Sequence, residues 1–213
     1  GSRRRELMMQ ISRDLMSRLS VILSKNEALD ATLTAVRYLT GCNSGSIHLI
    51  NDNTKRIELA ISHNLPQEQL KRFTFGDIHK VIYTGKSQYF KAEENRGNDE
   101  IPITGGQIPI ITAGEVIGIL SFILDIPRII LPDICDPTEL LASQLGNTLI
   151  RIKSEELVRQ RQEELTELYS VMQELVIVVD MDGTILNVNP ATSRKLGYLE
   201  KELEGLPIQI IYP

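Results

Sequence analysis

The chain has 213 residues, 42% of them apolar and 24% charged, room for one ordinary globular domain plus part of another. A net charge of −5 argues against the basic face of a nucleic-acid binder, and 5% aromatics leave little for base stacking. The longest apolar run, 116–124, is far short of the roughly 20 residues of a membrane span.

Apolar residues at Leu7, Met8, Ile11, Leu15, Leu19 and Ile22 recur three or four apart and predict a helix over 3–24. Asn26 is placed to cap a second helix with Leu29, Leu33, Val36 and Leu39 on its buried side, and Gly41 stops it. Two strand-like runs, 45–51 and 56–62, are joined by the polar stretch 52–55 and predict an antiparallel hairpin. Short amphipathic helices are expected at 67–73 and 77–83, the second ending at Thr84-Gly85. An edge strand follows at 88–93, then a polar loop at 94–100. Strands at 107–112 and 116–124, split by Ala113-Gly114-Glu115, predict a second hairpin.

From Pro137 a helical pattern runs to about Glu174, much longer than an ordinary globular helix. Leu157, Leu168, Val171 and Leu175 share one heptad stripe, with Val158, Leu165 and Met172 on an adjoining one. Arg161 and Glu164 break the stripe, which predicts a weak and switchable helix pair. Two further strands, 175–180 and 184–189, flank Asp182-Gly183, a strong hairpin signal. Pro190 opens a short helix, and another short segment covers 200–203. About forty residues hold too little apolar surface for a full core, so 175–213 is expected to be the first part of a domain.

In their order, the strings CNSGSIHLI, LAISHNLPQE, GDIHKVIYTGKSQYF and IPIITAGEVIGILSFILD resemble a GAF domain over residues 6–153. Residues 168–213, through the string LYSVMQELVIVVDMDGTILNVNPATSRKLGYLEKELEG, resemble the start of a PAS domain. The resemblance implies an α+β fold: a GAF-like antiparallel sheet flanked by helices over 1–153, a helical connector over 154–174, and a partial PAS-like segment over 175–213. Such an order resembles the input half of a multidomain sensor, most often a histidine kinase and in other cases a cyclase or transcription regulator. One sheet face would carry the terminal helices. The other would hold a ligand pocket among residues 63–112, lined by apolar groups with a few polar anchors. The implied function is cytoplasmic and sensory, with a small ligand or partner in the pocket and a homodimer formed through the terminal helices. No contact with nucleic acid or membrane is expected of these residues.

For pocket chemistry, His79 is the candidate cofactor-binding residue, because its short helix flanks the presumed pocket and one histidine can hold a haem iron. His48 shares a strand face with Ser46 and Ile50, and His63 falls at a strand end. Cys42 reads as a small buried apolar residue, while Cys135, near the start of the long helix, is placed for the helix dipole to lower its pKa. The two cysteines form no CxxC and indicate neither a disulfide framework nor a zinc site. No GxxxxGK[ST], HExxH or GxSxG string occurs, so no catalytic or metal-binding residues are assigned, and the cofactor stays unknown. The alternatives are a methionine-sulfoxide-reducing or redox GAF enzyme, which would exchange disulfides between pocket cysteines, and a ligand-free dimerisation scaffold.

Overall fold

The computed structural model describes residues 10, 13–14, 17–19, 21–42, 44–65, 78–90, 104–124 and 132–211. The predicted helix at 67–73 and loop at 94–100 lie outside these residues, as does most of the helix predicted at 3–24. Contacts divide the chain into two units, 1–153 and 154–213.

In the first unit, helix α1 (Lys25–Thr40) buries Leu29, Leu33, Val36 and Leu39, the stripe its spacing predicts. Its N-cap is Ser24 rather than Asn26, with no side-chain cap bond. It ends where Gly41 turns left-handed (φ 70°) and donates its N–H to the Arg37 carbonyl. Strands β1 (Ser44–Ile50) and β2 (Ile57–His63) form the first hairpin. Asn51 shapes its turn by accepting the backbone N–H groups of Asn53 and Thr54. Helix α2 (Ile78–Thr84) and the edge strand β3 (Gln88–Phe90) follow. The second hairpin pairs β4 (Thr104–Thr112) with β5 (Glu115–Leu124).

These strands form one antiparallel sheet in the order β2-β1-β5-β4-β3. One face packs on α1 and on α3 (Pro132–Val171), through Ile47, Ile108, Leu120 and Phe122 against Leu33, Val36, Leu141 and Leu145. Gly146 lets α3 lie close: a Cβ there would sit 2.9 Å from the Ile111 carbonyl oxygen. The described residues among 10–21 are helical, and Leu19 is buried. Arg151 on α3 donates to the carbonyls of Leu19 (3.3 Å) and Ile22 (2.5 Å), tying that N-terminal segment down with a cation where carbonyls point outward.

The second unit contains the C-terminal part of α3, the hairpin β6 (Ile177–Val179) and β7 (Ile185–Val188), and helices α4 (Pro190–Leu196) and α5 (Glu200–Leu203). Asp180 shapes the hairpin turn by accepting the N–H groups of Asp182 and Thr184, and Gly183 takes the left-handed position (φ 81°). The core is small: Ile185, Val188 and Leu203 are its fully buried members. Asn189 caps α4, with Pro190 in its first turn.

Candidate functional site

Strand alternation sends neighbouring residues to opposite sides of the sheet. Ile47 and Phe122 point to the long helices, so Ser46, His48 and Ser121 point to the other face. On that side, among the described residues, α2 lies over the sheet with Ile78 and Val81 packed on Ile119. The strand register then aligns Ser62, Ser46, Ser121, Gln107 and Gln88, one from each strand, in a polar row across the whole sheet. His48 stands two residues along β1 from Ser46, opposite Leu59 and Ile119.

The centre of this row is deeply buried. Ser46 is 0% exposed, Ser121 1% and His48 3%. Yet the hydroxyls of Ser46 and Ser121 and Nδ1 of His48 have no hydrogen-bond partner among the described residues. A buried polar group without a partner costs about 1–3 kcal/mol, so several on one face are destabilising as they stand and call for a functional reason.

Burial lowers the His48 pKa below its ordinary 6.5, because the charged imidazolium is poorly solvated there. The unfolded chain protonates His48 near pH 6.5 while the folded chain resists. Stability is therefore full above about pH 6.5 and falls as the pH drops toward the lower folded value. His48→Leu is expected to flatten that acid limb, by up to about 1.4 kcal/mol per pH unit. Urea titrations of both proteins between about pH 7 and 5 check it, and superimposable profiles would refute it.

The other sequence candidates lie elsewhere. His79 sits on the exposed side of α2, whereas Ile78 and Val81 of that helix are buried. His63 is on the helix-covered side and lies 2.9 Å from Asp30 of α1. Cys42 is buried in the helix-side core, as expected of a small apolar residue. For Cys135 the expectation of a lowered pKa is corrected: burial pushes the thiol up, and the nearby carboxylates Glu139 and Asp136 add to this. Cys135 interacts with the hydroxyl of Tyr89, which donates to Glu139 (3.0 Å) and is itself raised far above its ordinary 10 by burial and that carboxylate. Both cysteines thus lie on the side of the sheet away from the serine row. Ser121 and Gln107 are absent from the sequence-based candidates. A lone serine or glutamine in an apolar strand carries no signal until the register aligns it with others.

Among the described residues no group of three or more His, Cys, Asp or Glu gathers as a metal site, and no helix is long and apolar enough to cross a membrane.

No family model and no curated protein matches the chain. Solved structures do. The GAF domain of an Acinetobacter phosphoenolpyruvate-protein phosphotransferase superposes with a TM-score of 0.59 at 16% identity, covering 70% of this chain and 95% of that one. The GAF domain of a putative sensor histidine kinase of Pseudomonas syringae pv. tomato gives 0.59 at 15% identity, with 75% and 96% covered. Free methionine-R-sulfoxide reductase from Neisseria meningitidis, solved with its substrate, gives 0.58 at 12% identity, with 71% and 93% covered. The chain is α+β, and its five-stranded antiparallel sheet with flanking helices has the GAF-like fold.

Proposed function

We propose that this chain is the non-catalytic, sensory input region of a multidomain signalling protein, a sensor histidine kinase before other kinds. In this reading the GAF-like unit binds a small molecule on the α2 side of its sheet, and the connector helix passes the change toward a PAS-like second unit. The observation that carries the reading is the pair of buried serine hydroxyls beside His48, none of the three with a partner among the described residues. A scaffold with an empty face gains nothing from hydroxyls sealed in this way, whereas a ligand site needs them.

The relay rests on α3. Leu157, Arg161, Glu164, Leu168 and Val171 follow the alternating four-three spacing of a coiled-coil seam, and its apolar members are more than half exposed. Arg161 and Glu164 interrupt the seam and pair with each other at 3.1 Å. A second copy of this helix is the natural cover for such a stripe, and the charged break keeps the pair weak enough to switch between packings. Replacing both Arg161 and Glu164 with leucine is expected to tighten self-association roughly tenfold or more, about 1.4 kcal/mol. Sedimentation equilibrium measures it, and an unchanged dissociation constant removes the relay.

The reductase among the structural neighbours favours a second reading, a methionine-sulfoxide-reducing enzyme. It is the weaker one here. Cys42 and Cys135 are the only cysteines, neither forms a disulfide, and both lie across the sheet from the polar row.

A further inference from the structure

We infer that the α2 side of the sheet selects an uncharged small molecule carrying an amide or lactam group on an apolar body, held by Ser46, Ser121 and His48. This rests on the reading above, that the face is a ligand site.

The first ground is charge. Sheet positions on this face hold no Asp, Glu, Lys or Arg among the described residues. Glu58 is paired with Leu49 on the opposite face, and Glu115 is exposed at the β4–β5 turn. A carboxylate, phosphate or ammonium buried against these positions would meet no countercharge from the sheet, and an uncompensated buried charge is among the most costly arrangements in a protein. His48 does not supply one, since burial favours its neutral form.

The second ground is the kind of polar atom on offer. Each serine hydroxyl donates one hydrogen bond and accepts others, and Nδ1 of a neutral imidazole does one or the other according to its tautomer. Ser46 and Ser121 are directly opposite in the β1–β5 register, so their hydroxyls can serve one small group together. A group that both accepts and donates can serve the hydroxyls and the His48 nitrogen in either tautomer, and an amide does so within a single plane. The third ground is how few such atoms there are. Ile119 and Ile123 flank Ser121 along β5 on the same face, and Ile119 also flanks the His48 position. A polyol would leave hydroxyls facing these isoleucines unsatisfied, whereas one amide on an apolar body matches both surfaces.

The test uses probes of similar size that differ in charge: benzamide, benzoate and benzylamine, with nicotinamide and nicotinate as a second set. Binding is measured by saturation-transfer NMR on the whole chain, wild type and the Ser46→Ala/Ser121→Ala double variant. The expected result is binding of the two amides, with the carboxylates and the amine weaker by roughly tenfold or more. The double variant should lose amide binding by about tenfold while melting no lower than wild type, since it removes hydroxyls that lack partners. Charged probes that bind as well as the amides, and are lost in the double variant, overturn the uncharged class and leave the site standing. Amide binding that survives in the double variant overturns the site as well. Absence of binding by either amide overturns the class; if denatured wild-type protein also releases no bound small molecule on mass spectrometry, the site goes with it.

Discussion

Phe122→Ala is expected to cost the first unit about 3–5 kcal/mol, a large share of the 5–15 kcal/mol that holds an ordinary domain together. Phe122 is 0% exposed in the C-terminal half of β5, and the register sets Gly45 on one side of it and Gly106 on the other. The glycines make room for the ring. A Cβ on Gly106 would lie 2.8 Å from Cε1 of Phe122 and 2.9 Å from Cδ1 of Tyr89. Removing the ring therefore opens a cavity between two residues that have no side chain to fill it, and cavities that cannot collapse are the costly ones. Urea denaturation of the two proteins measures the loss, and a difference below about 1 kcal/mol would mean that the helices close over the gap. Ser121 and Ile123 are the neighbours of Phe122 on the opposite face, so the same core residue fixes the strand that presents the serine.

Phe122 and its glycines also explain one limit of the sequence. Thr104-Gly105-Gly106 reads as a loop because glycine weakens a strand interior, and the predicted strand accordingly starts at Gln107. It is strand in the fold because its partners need the space: Phe122 lies over Gly106, and a Cβ on Gly105 would meet the Phe122 carbonyl oxygen at 2.2 Å. By contrast, the stripe of α1, both long hairpins and the short helices after Pro190 are legible, since local spacing, Asp-Gly and Asn-Pro carry them. The long helix begins at Pro132 and carries Pro137 inside, whereas the helical pattern places its start at Pro137. Local rules put proline at a helix start, and here they pick the second of two prolines. The polar row is the least legible feature. Ser46 and Ser121 are far apart along the chain, and only the pairing of β1 with β5 makes them neighbours. A site made by register is invisible to any local pattern.

Asn189→Ala is expected to undo the second unit while leaving the first folded. Asn189 is 0% exposed, and its amide joins the end of α3, the start of β6 and the first turn of α4. Its Oδ1 accepts from Val176 N (3.1 Å) and Thr192 N (3.0 Å) and lies 2.6 Å from the Thr192 hydroxyl. Its Nδ2 donates to the carbonyls of Glu174 (2.9 Å) and Met172 (3.4 Å). Alanine would remove the cap of α4, leaving the buried Thr192 N–H without its acceptor at about 1–3 kcal/mol, and would take the donor from the part-buried carbonyls of Glu174 and Met172, while the Val176 N–H keeps the Thr192 hydroxyl. Set against the small core around Ile185, Val188 and Leu203, that loss is a large share of what holds such a unit together. Hydrogen exchange should show protection lost at Val176, Ile185 and Ser193 and kept along β4 and β5; protection retained at Ser193 would mean that Pro190 alone starts the helix. Asn189→Asp separates the two halves of the network, because it keeps the acceptor for Val176 and Thr192 but loses the donors to Glu174 and Met172. Its damage should fall where the chain leaves α3. The Met172 N–H, bonded to the Leu168 carbonyl at 3.1 Å, should then exchange faster, while the Ser193 N–H, bonded to the Asn189 carbonyl at 3.3 Å, stays protected. If the proposed relay runs through that exit, the aspartate variant keeps a folded hairpin and still loosens its hold on the helix end; equal protection at Met172 in the variant and the wild type would place the hold elsewhere.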